Sequence, residues 1–242
     1  MDNVIFFEAE RVNGKIKPEI EPREVAKLVS NKQIVILKKV FTEDELLDLR
    51  NEVVAWGRER EPVNFDDFTQ NYHSRRAKVS NIQQSPHVFH DYNFNNFDVL
   101  PENLRSKLTN VFETMRGLYD ELTDQQTKLG IAETGPYFHP QVIHYPLGGG
   151  FFGRHNHNLK PQIVGFILMM SKYGVDYKAG GTCFEIDGKV VDIEGQHDMG
   201  DLCLWRNDLD HWVKQSPLDD KFSWDSEKGR FVATLAYFDP KG

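Results

Sequence analysis

The sequence predicts a mostly β chain whose helices gather in its N-terminal half, followed by a β-barrel or sandwich. Three observations carry this. From about Tyr137 onward the chain breaks into short β-branched and aromatic runs separated by Gly-rich turns. Before that point the long periodic segments are helical. Between them lies QVIHYPLGGGFFGRHNHN (141–158), in which an apolar strand runs into three glycines and then into His155-Asn156-His157.

In chain order, residues 3–8 (NVIFFE) and 33–38 (QIVILK) read as strands. Pro22 begins a short helix to about Ser30, at a position where its missing N–H costs nothing. Thr42-Glu43-Asp44-Glu45 is a capping box, and Phe41 with Leu46 forms a hydrophobic staple. The helix it opens runs to about Arg58 with Leu46, Leu49, Val53 and Trp56 on one face. Residues 61–98 show no sustained period and read as a functional loop or lid. Pro101 begins a long helix carrying Leu104, Leu108, Phe112, Met115, Tyr119 and Leu122, ending near Gly130. Strands follow at 139–146, 153–158, 162–171, 181–186, 189–193, 200–205, 211–215 and 230–238.

A chain of 242 residues with 39% hydrophobic and 12% aromatic content is enough for one large domain, here 1–242. Within it, 1–135 reads as helical support and substrate loops and 136–242 as the β core. No apolar run is long enough to span a bilayer, and a net charge of −8 attracts neither nucleic acid nor an anionic membrane. Two cysteines, Cys183 and Cys203, and an N-terminus without a secretory pattern lead us to expect a cytoplasmic protein with reduced thiols.

Residues i and i+2 of a strand share a side, so His155 and His157 present two imidazoles to one volume. A third histidine, His211, follows the strand and polar turn that begin at Gly200. His155, His157 and His211 are therefore the expected metal ligands; zinc fits three imidazoles and a water as well as iron does.

YPLGGGFFGRHNH, GGTCFEIDGKVVDIEGQHDMGDLCLW, His211 and Gly229-Arg230-Phe231 together resemble the Fe(II)/2-oxoglutarate-dependent oxygenases. The opening QIVILKKVFTEDELLDL is similar to their phytanoyl-CoA-hydroxylase-like branch. The resemblance implies a double-stranded β-helix, a jelly-roll or cupin-like barrel buttressed by helices. It also implies Fe(II) and O₂, with 2-oxoglutarate held by Arg230, and oxidation of a small organic substrate, most simply hydroxylation. His157 stands where that family usually has a carboxylate, which makes the site one charge more positive. The spacing of the histidines also resembles the cupins, which include three-histidine iron dioxygenases that need no 2-oxoglutarate, and a metal-binding module without redox turnover is a third reading.

Arg230 opens an apolar strand, where a guanidinium needs a partner: the cosubstrate carboxylate or an ordinary ion pair, with Arg206 the competing cation. Tyr145 and Gln141 share one face of their strand and are candidates for contacting cosubstrate or substrate. Arg75 and Arg76 suit an acidic substrate group or form a solvated basic cluster. Residues 216–228 read as an inserted loop in which Trp224 covers the substrate.

Overall fold

A computed structural model describes residues 3–63, 70–78, 85–130, 137–160 and 162–238. The first strand, β1 (Val4–Val12), turns through Asn13-Gly14 into β2 (Lys15–Pro18). Both turn residues have positive φ, 51° and 74°, the conformation a two-residue hairpin of matching twist requires. Helix α1 (Pro22–Ser30) leads to β3 (Ile34–Lys38), which pairs parallel to β1. Helix α2 (Glu43–Arg58) starts on the expected capping box: the Thr42 hydroxyl accepts from the Glu45 N–H and the Glu45 carboxylate accepts from the Thr42 N–H. Leu46, Leu49, Val53 and Trp56 are all buried on its inner face.

The stretch expected to be an aperiodic lid is instead largely a hairpin of β4 (Tyr72–Lys78) and β5 (His87–Asn93); residues 64–69 and 79–84 of it lie outside the described residues. Hydrophobic alternation fails to reveal these strands because both faces are polar or aromatic. One carries Ser74, Arg76, Asp91 and Asn93, and the other His73, His90 and Tyr92. A 3₁₀ turn (Phe97–Val99) precedes helix α3 (Glu102–Thr123). This helix ends before the expected Gly130, since Asp124 adopts a left-handed φ of 56° and Asp120 receives hydrogen bonds from Thr127.

The remaining strands are β6 (Lys128–Leu129), β7 (Tyr137–Pro146), β8 (Phe151–His155), β9 (Val164–Met169), β10 (Thr182–Ile186), β11 (Lys189–Asp192), β12 (Leu202–Arg206), β13 (His211–Val213) and β14 (Gly229–Phe238). Hydrogen bonding runs in the order β11-β10-β13-β8-β5-β7-β14-β9-β12-β3-β1-β2, with β4 beside β5 and β6 beside β7. The sheet closes on itself as a double-stranded β-helix. Residues of β8, β10 and β13 (Phe152, Thr182, Val213) then line the same cavity as residues of β7, β9, β12 and β14 (Ile143, Gly165, Trp205, Val232). The N-terminal strands extend this sheet rather than standing apart, because β3 pairs with β12, and β5 is inserted between β7 and β8. The three helices pack on the outside, where Leu49, Val53, Leu104, Phe112 and Tyr119 join Phe138, Phe166 and Phe231 in one apolar cluster. No helix among the described residues is long and apolar enough to cross a membrane.

One buried ion pair fixes the strand that matters most for the site. Arg50 of α2 lies 2.9 Å from Asp176 and also donates to the Met170 carbonyl. The Asp176 carbonyl in turn accepts from the Gly229 N–H, and Ser171 bonds both the Gly229 carbonyl and the Phe231 N–H. Burial alone would raise the Asp176 carboxyl, but hydrogen bonds from Arg50 and the Lys172 N–H hold it below the ordinary carboxylate value. Asp176→Ala leaves a guanidinium buried without its partner and should cost about 3–5 kcal/mol in urea unfolding. An unchanged midpoint would refute this role.

Burial also depresses His144 to about 4 and His197 to about 3, from an ordinary 6.5. Both rings are almost inaccessible. The unfolded chain therefore binds protons that the fold cannot accept, so stability is full above pH about 6.5 and falls as the pH drops towards 4, by about 1.4 kcal/mol per pH unit for each ring. Chemical unfolding at pH 7 and pH 5 checks the sign.

Candidate metal centre and its cavity

Strands β8 and β13 pair antiparallel with His155 directly opposite His211. Opposed residues of a pair point to the same face, so the two imidazoles meet there, with ring centroids 4.2 Å apart. His157 lies two residues beyond His155, at ring distances of 5.1 Å from His155 and 5.4 Å from His211. Its N–H donates to the Asn207 carbonyl, which ties the segment leaving β8 to the turn after β12. Each of the three offers one ring nitrogen, and these atoms all lie within 4.8 Å of one another.

The protonation of two rings is dictated by their partners. His155 Nδ1 faces the Gly153 carbonyl at 2.8 Å and His211 Nδ1 faces the Leu209 carbonyl at 2.8 Å. A carbonyl only accepts, so Nδ1 carries the proton in both and Nε2 keeps its lone pair for a metal. Burial then holds His155 at about 4 and His211 at about 3, the neighbouring imidazoles adding to the effect, while burial lowers His157 as well. All three are neutral near pH 7 and ready to coordinate. No aspartate or glutamate belongs to this cluster among the described residues.

The histidines sit at a cavity of about 340 Å³. Phe152, Ile143, Val213, Val232 and Trp205 give it apolar walls. Trp205 lies flat against Gly165, where any Cβ would collide with the indole, so the glycine is what lets the ring form the wall. Gly148, at φ 74°, packs against the backbone of Asp220 and Phe222, which accounts for one of the three glycines before β8.

Behind Thr182 and Tyr145, which line the cavity, Arg230 is 2% exposed. One of its nitrogens donates to Thr182 Oγ1 at 2.5 Å, and its guanidinium lies over the Tyr145 ring at 5.4 Å. The Tyr177 hydroxyl lies beside it, and no carboxylate pairs with it among the described residues. Arg206, by contrast, is spent on Asp208 and the Ser30 carbonyl.

The other sequence candidates separate. Tyr145 and Gln141 share the cavity face of β7, but they stand four residues, about 13 Å, apart along the strand. Tyr145 is opposite Arg230 and Gln141 opposite Thr234. Arg75 and Arg76, being adjacent on β4, point to opposite faces. Arg75 pairs with Asp225 at 2.6 Å on the outer face, and Arg76 pairs with Asp91 at 3.2 Å on the cavity face. Trp224 packs against Phe222 and His90, on the outer side of β5, rather than over the cavity. Sequence reasoning missed Thr182, Asn207 and the Asp91-Asn93 pair. Only closure of the barrel brings Thr182 to Arg230, since β10 and β14 are not neighbours in the sheet, so no local signal marks it.

No known family profile matches the sequence, and no curated protein does. Solved structures do match. A prolyl-4-hydroxylase from Pseudomonas putida superposes with a TM-score of 0.58 at 15% identity, covering 90% of this chain and 98% of its own. A prolyl hydroxylase from Trichoplax adhaerens, solved with a hypoxia inducible factor oxygen degradation domain peptide, gives 0.57 at 16% identity over 91% of each chain. The non-heme alpha ketoglutarate dependent epimerase SnoN from nogalamycin biosynthesis gives 0.55 at 11%, covering 90% of this chain and 82% of its own. The chain therefore has the double-stranded β-helix fold of these structures.

Proposed function

We propose that this protein is a non-haem Fe(II) oxygenase that couples 2-oxoglutarate decarboxylation and O₂ to the oxidation, most simply the hydroxylation, of a small organic substrate in the cytoplasm. The observation that carries the reading is the conjunction of two features: three neutral imidazoles lining the cavity and, behind its Thr182 and Tyr145 walls, a buried guanidinium with no carboxylate partner among the described residues.

The donor set fits a divalent metal, since three nitrogens on one face leave the opposite positions open. His155, His157 and His211 would hold iron, and when bound it supplies O₂ activation coupled to conversion of 2-oxoglutarate to succinate and CO₂. The chain's own residues do the rest. Arg230 and the Thr182 hydroxyl present donors to the far carboxylate of the cosubstrate, for which the planar guanidinium is a bidentate match. Tyr145 covers the guanidinium and keeps water from it. Phe152, Val213, Ile143 and Trp205 hold the organic substrate in a dry space. The carbonyls of Gly153 and Leu209 keep the two ligand rings in the orientation that coordination needs. The two cysteines are buried thiols, in keeping with a reducing compartment.

A second reading, a three-histidine dioxygenase acting on a chelating substrate without 2-oxoglutarate, draws support from the absence of a carboxylate in the cluster. Arg230 separates the two readings, because that enzyme has no use for a buried free guanidinium.

Anaerobic Fe(II) titration with and without 2-oxoglutarate should show the weak visible charge-transfer band of the chelate only when both are present. Iron binding without that band would favour the second reading. Arg230→Met should weaken 2-oxoglutarate binding about 10- to 100-fold. It should also leave the unliganded protein as stable or more stable, since it removes an unpaired buried charge. A marked loss of unliganded stability would instead mark the arginine as structural. His211→Ala should abolish stoichiometric metal binding by equilibrium dialysis while leaving the fold's circular dichroism intact.

A further inference from the structure

Gln141 lies at the end of a polar relay whose direction is fixed residue by residue. Arg76 pairs with the Asp91 carboxylate through two nitrogens, both at 3.2 Å. Asp91, only 3% exposed, also receives the Asn93 Nδ2 at 2.8 Å. A carboxylate paired with a guanidinium is ionised and accepts only, so the Asn93 amide must turn its NH₂ towards Asp91 and its Oδ1 away. That Oδ1 receives the Gln141 Nε2 at 2.7 Å, across the β5–β7 pairing that sets the two residues opposite each other. Gln141 therefore keeps its own Oε1 for the cavity, which it lines, and this oxygen has no partner among the described residues.

The other polar side chains of this half of the cavity are differently committed. Gln162 is used on both sides, donating to the Val164 and Leu235 carbonyls and accepting from the Tyr237 N–H. Thr234 spends its hydroxyl proton on the Phe166 carbonyl at 2.7 Å, leaving only lone pairs. Among the described residues the lining contains no lysine, arginine, aspartate or glutamate. Around Gln141 the cavity thus offers acceptors set among aromatic and aliphatic walls, with no cation among the described lining residues to balance an anion; the Asn207 side chain is the remaining neutral amide donor in the lining.

From this polarity we infer that Gln141 is a specificity-determining residue, and that the substrate is an uncharged molecule presenting an O–H or N–H donor to its Oε1, rather than an acid. The inference deepens the proposed oxygenase reading by naming the substrate class of the same cavity, and its test needs neither metal nor turnover. A carboxylate placed there would face lone pairs and lose its hydration without a counter-charge. Asp91 and Asn93 act through Gln141 as positioning residues: they keep its amide from flipping.

The probes are three compounds of one skeleton: phenylacetamide, a donor; methyl phenylacetate, an acceptor only; and phenylacetate, an anion. Binding to the full-length protein is followed by ligand-observed saturation-transfer NMR, in the wild type and in Arg230→Met, where no guanidinium can attract the anion. In the Arg230→Met background the amide should bind about tenfold more tightly than the ester, with the acid weakest. Gln141→Leu, similar in volume, should level amide and ester. Asp91→Asn, checked for folding by its thermal transition, should narrow the gap by releasing the Asn93 and Gln141 amides; should that variant not fold, the Gln141→Leu comparison decides alone. The inference is overturned if ester or acid binds as well as the amide in Arg230→Met, if the preference survives Gln141→Leu, or if phenylacetamide shows no binding at millimolar concentration. Failure of the iron and 2-oxoglutarate titration would leave this result standing, and the reverse holds equally.

Discussion

The antiparallel register of β8 on β13 is the constraint on which the site rests. It sets His155 opposite His211, and the period of two along the chain then brings His157 to the same side. Slipping either strand by one residue would turn its histidine to the other face and leave too few ligands for any ion. The register is held by more than the two strands. Asp210 accepts from Arg154 and Asn156, so the residues flanking the histidines are cross-linked in the same alignment as the histidines themselves.

A second constraint comes from buried charge. Among the described residues two guanidiniums are enclosed, and they are treated differently. Arg50 is met by Asp176, the Met170 carbonyl and the Phe231 ring, so its charge is balanced within the protein. Arg230 has the Thr182 hydroxyl, the nearby Tyr177 hydroxyl and an aromatic face, but no carboxylate among the described residues. The first supports the second: the loop that Arg50 and Asp176 hold in place bonds to Gly229 and Phe231 on either side of Arg230. Stability is thus given up at a position whose geometry is secured from outside the barrel, the usual sign of a group kept for a ligand.

Much of the fold was legible because local chemistry and tertiary outcome agree. The capping box at Thr42, the proline opening α1 and the apolar face of α2 need only neighbours in sequence, and all stand where the residues placed them. His155, His157 and His211 were legible for a related reason, since strand periodicity alone puts the first two together. The β4–β5 hairpin was not legible. Its strands carry arginines, histidines, an aspartate and an asparagine where a pattern reader looks for valine and isoleucine, because one of their faces holds the Arg76-Asp91-Asn93 network that reaches Gln141 and the other packs on Trp56. The Asn13-Gly14 turn did leave a local signal, overlooked because the strand after it is only four residues long. Arg75 and Arg76 looked like one basic cluster only while their strand was unrecognised; on a strand, adjacency means separation.

The segment between β13 and β14 is stitched down along its length. Ser216 bonds the turn before β8 through both its N–H and its hydroxyl. Further on, Asp225 is gripped by Arg58 and Arg75, and the Trp224 and Lys228 carbonyls accept from His90 and His144. The distance between His211 and the Arg230 guanidinium is therefore decided by what this segment is fastened to, not by how many residues it contains. Residues could be gained or lost between the fastenings at little thermodynamic cost, because loop closure depends only weakly on length. Sequence spacing between His211 and Arg230 is accordingly a poor guide to their spatial relation in chains of this architecture.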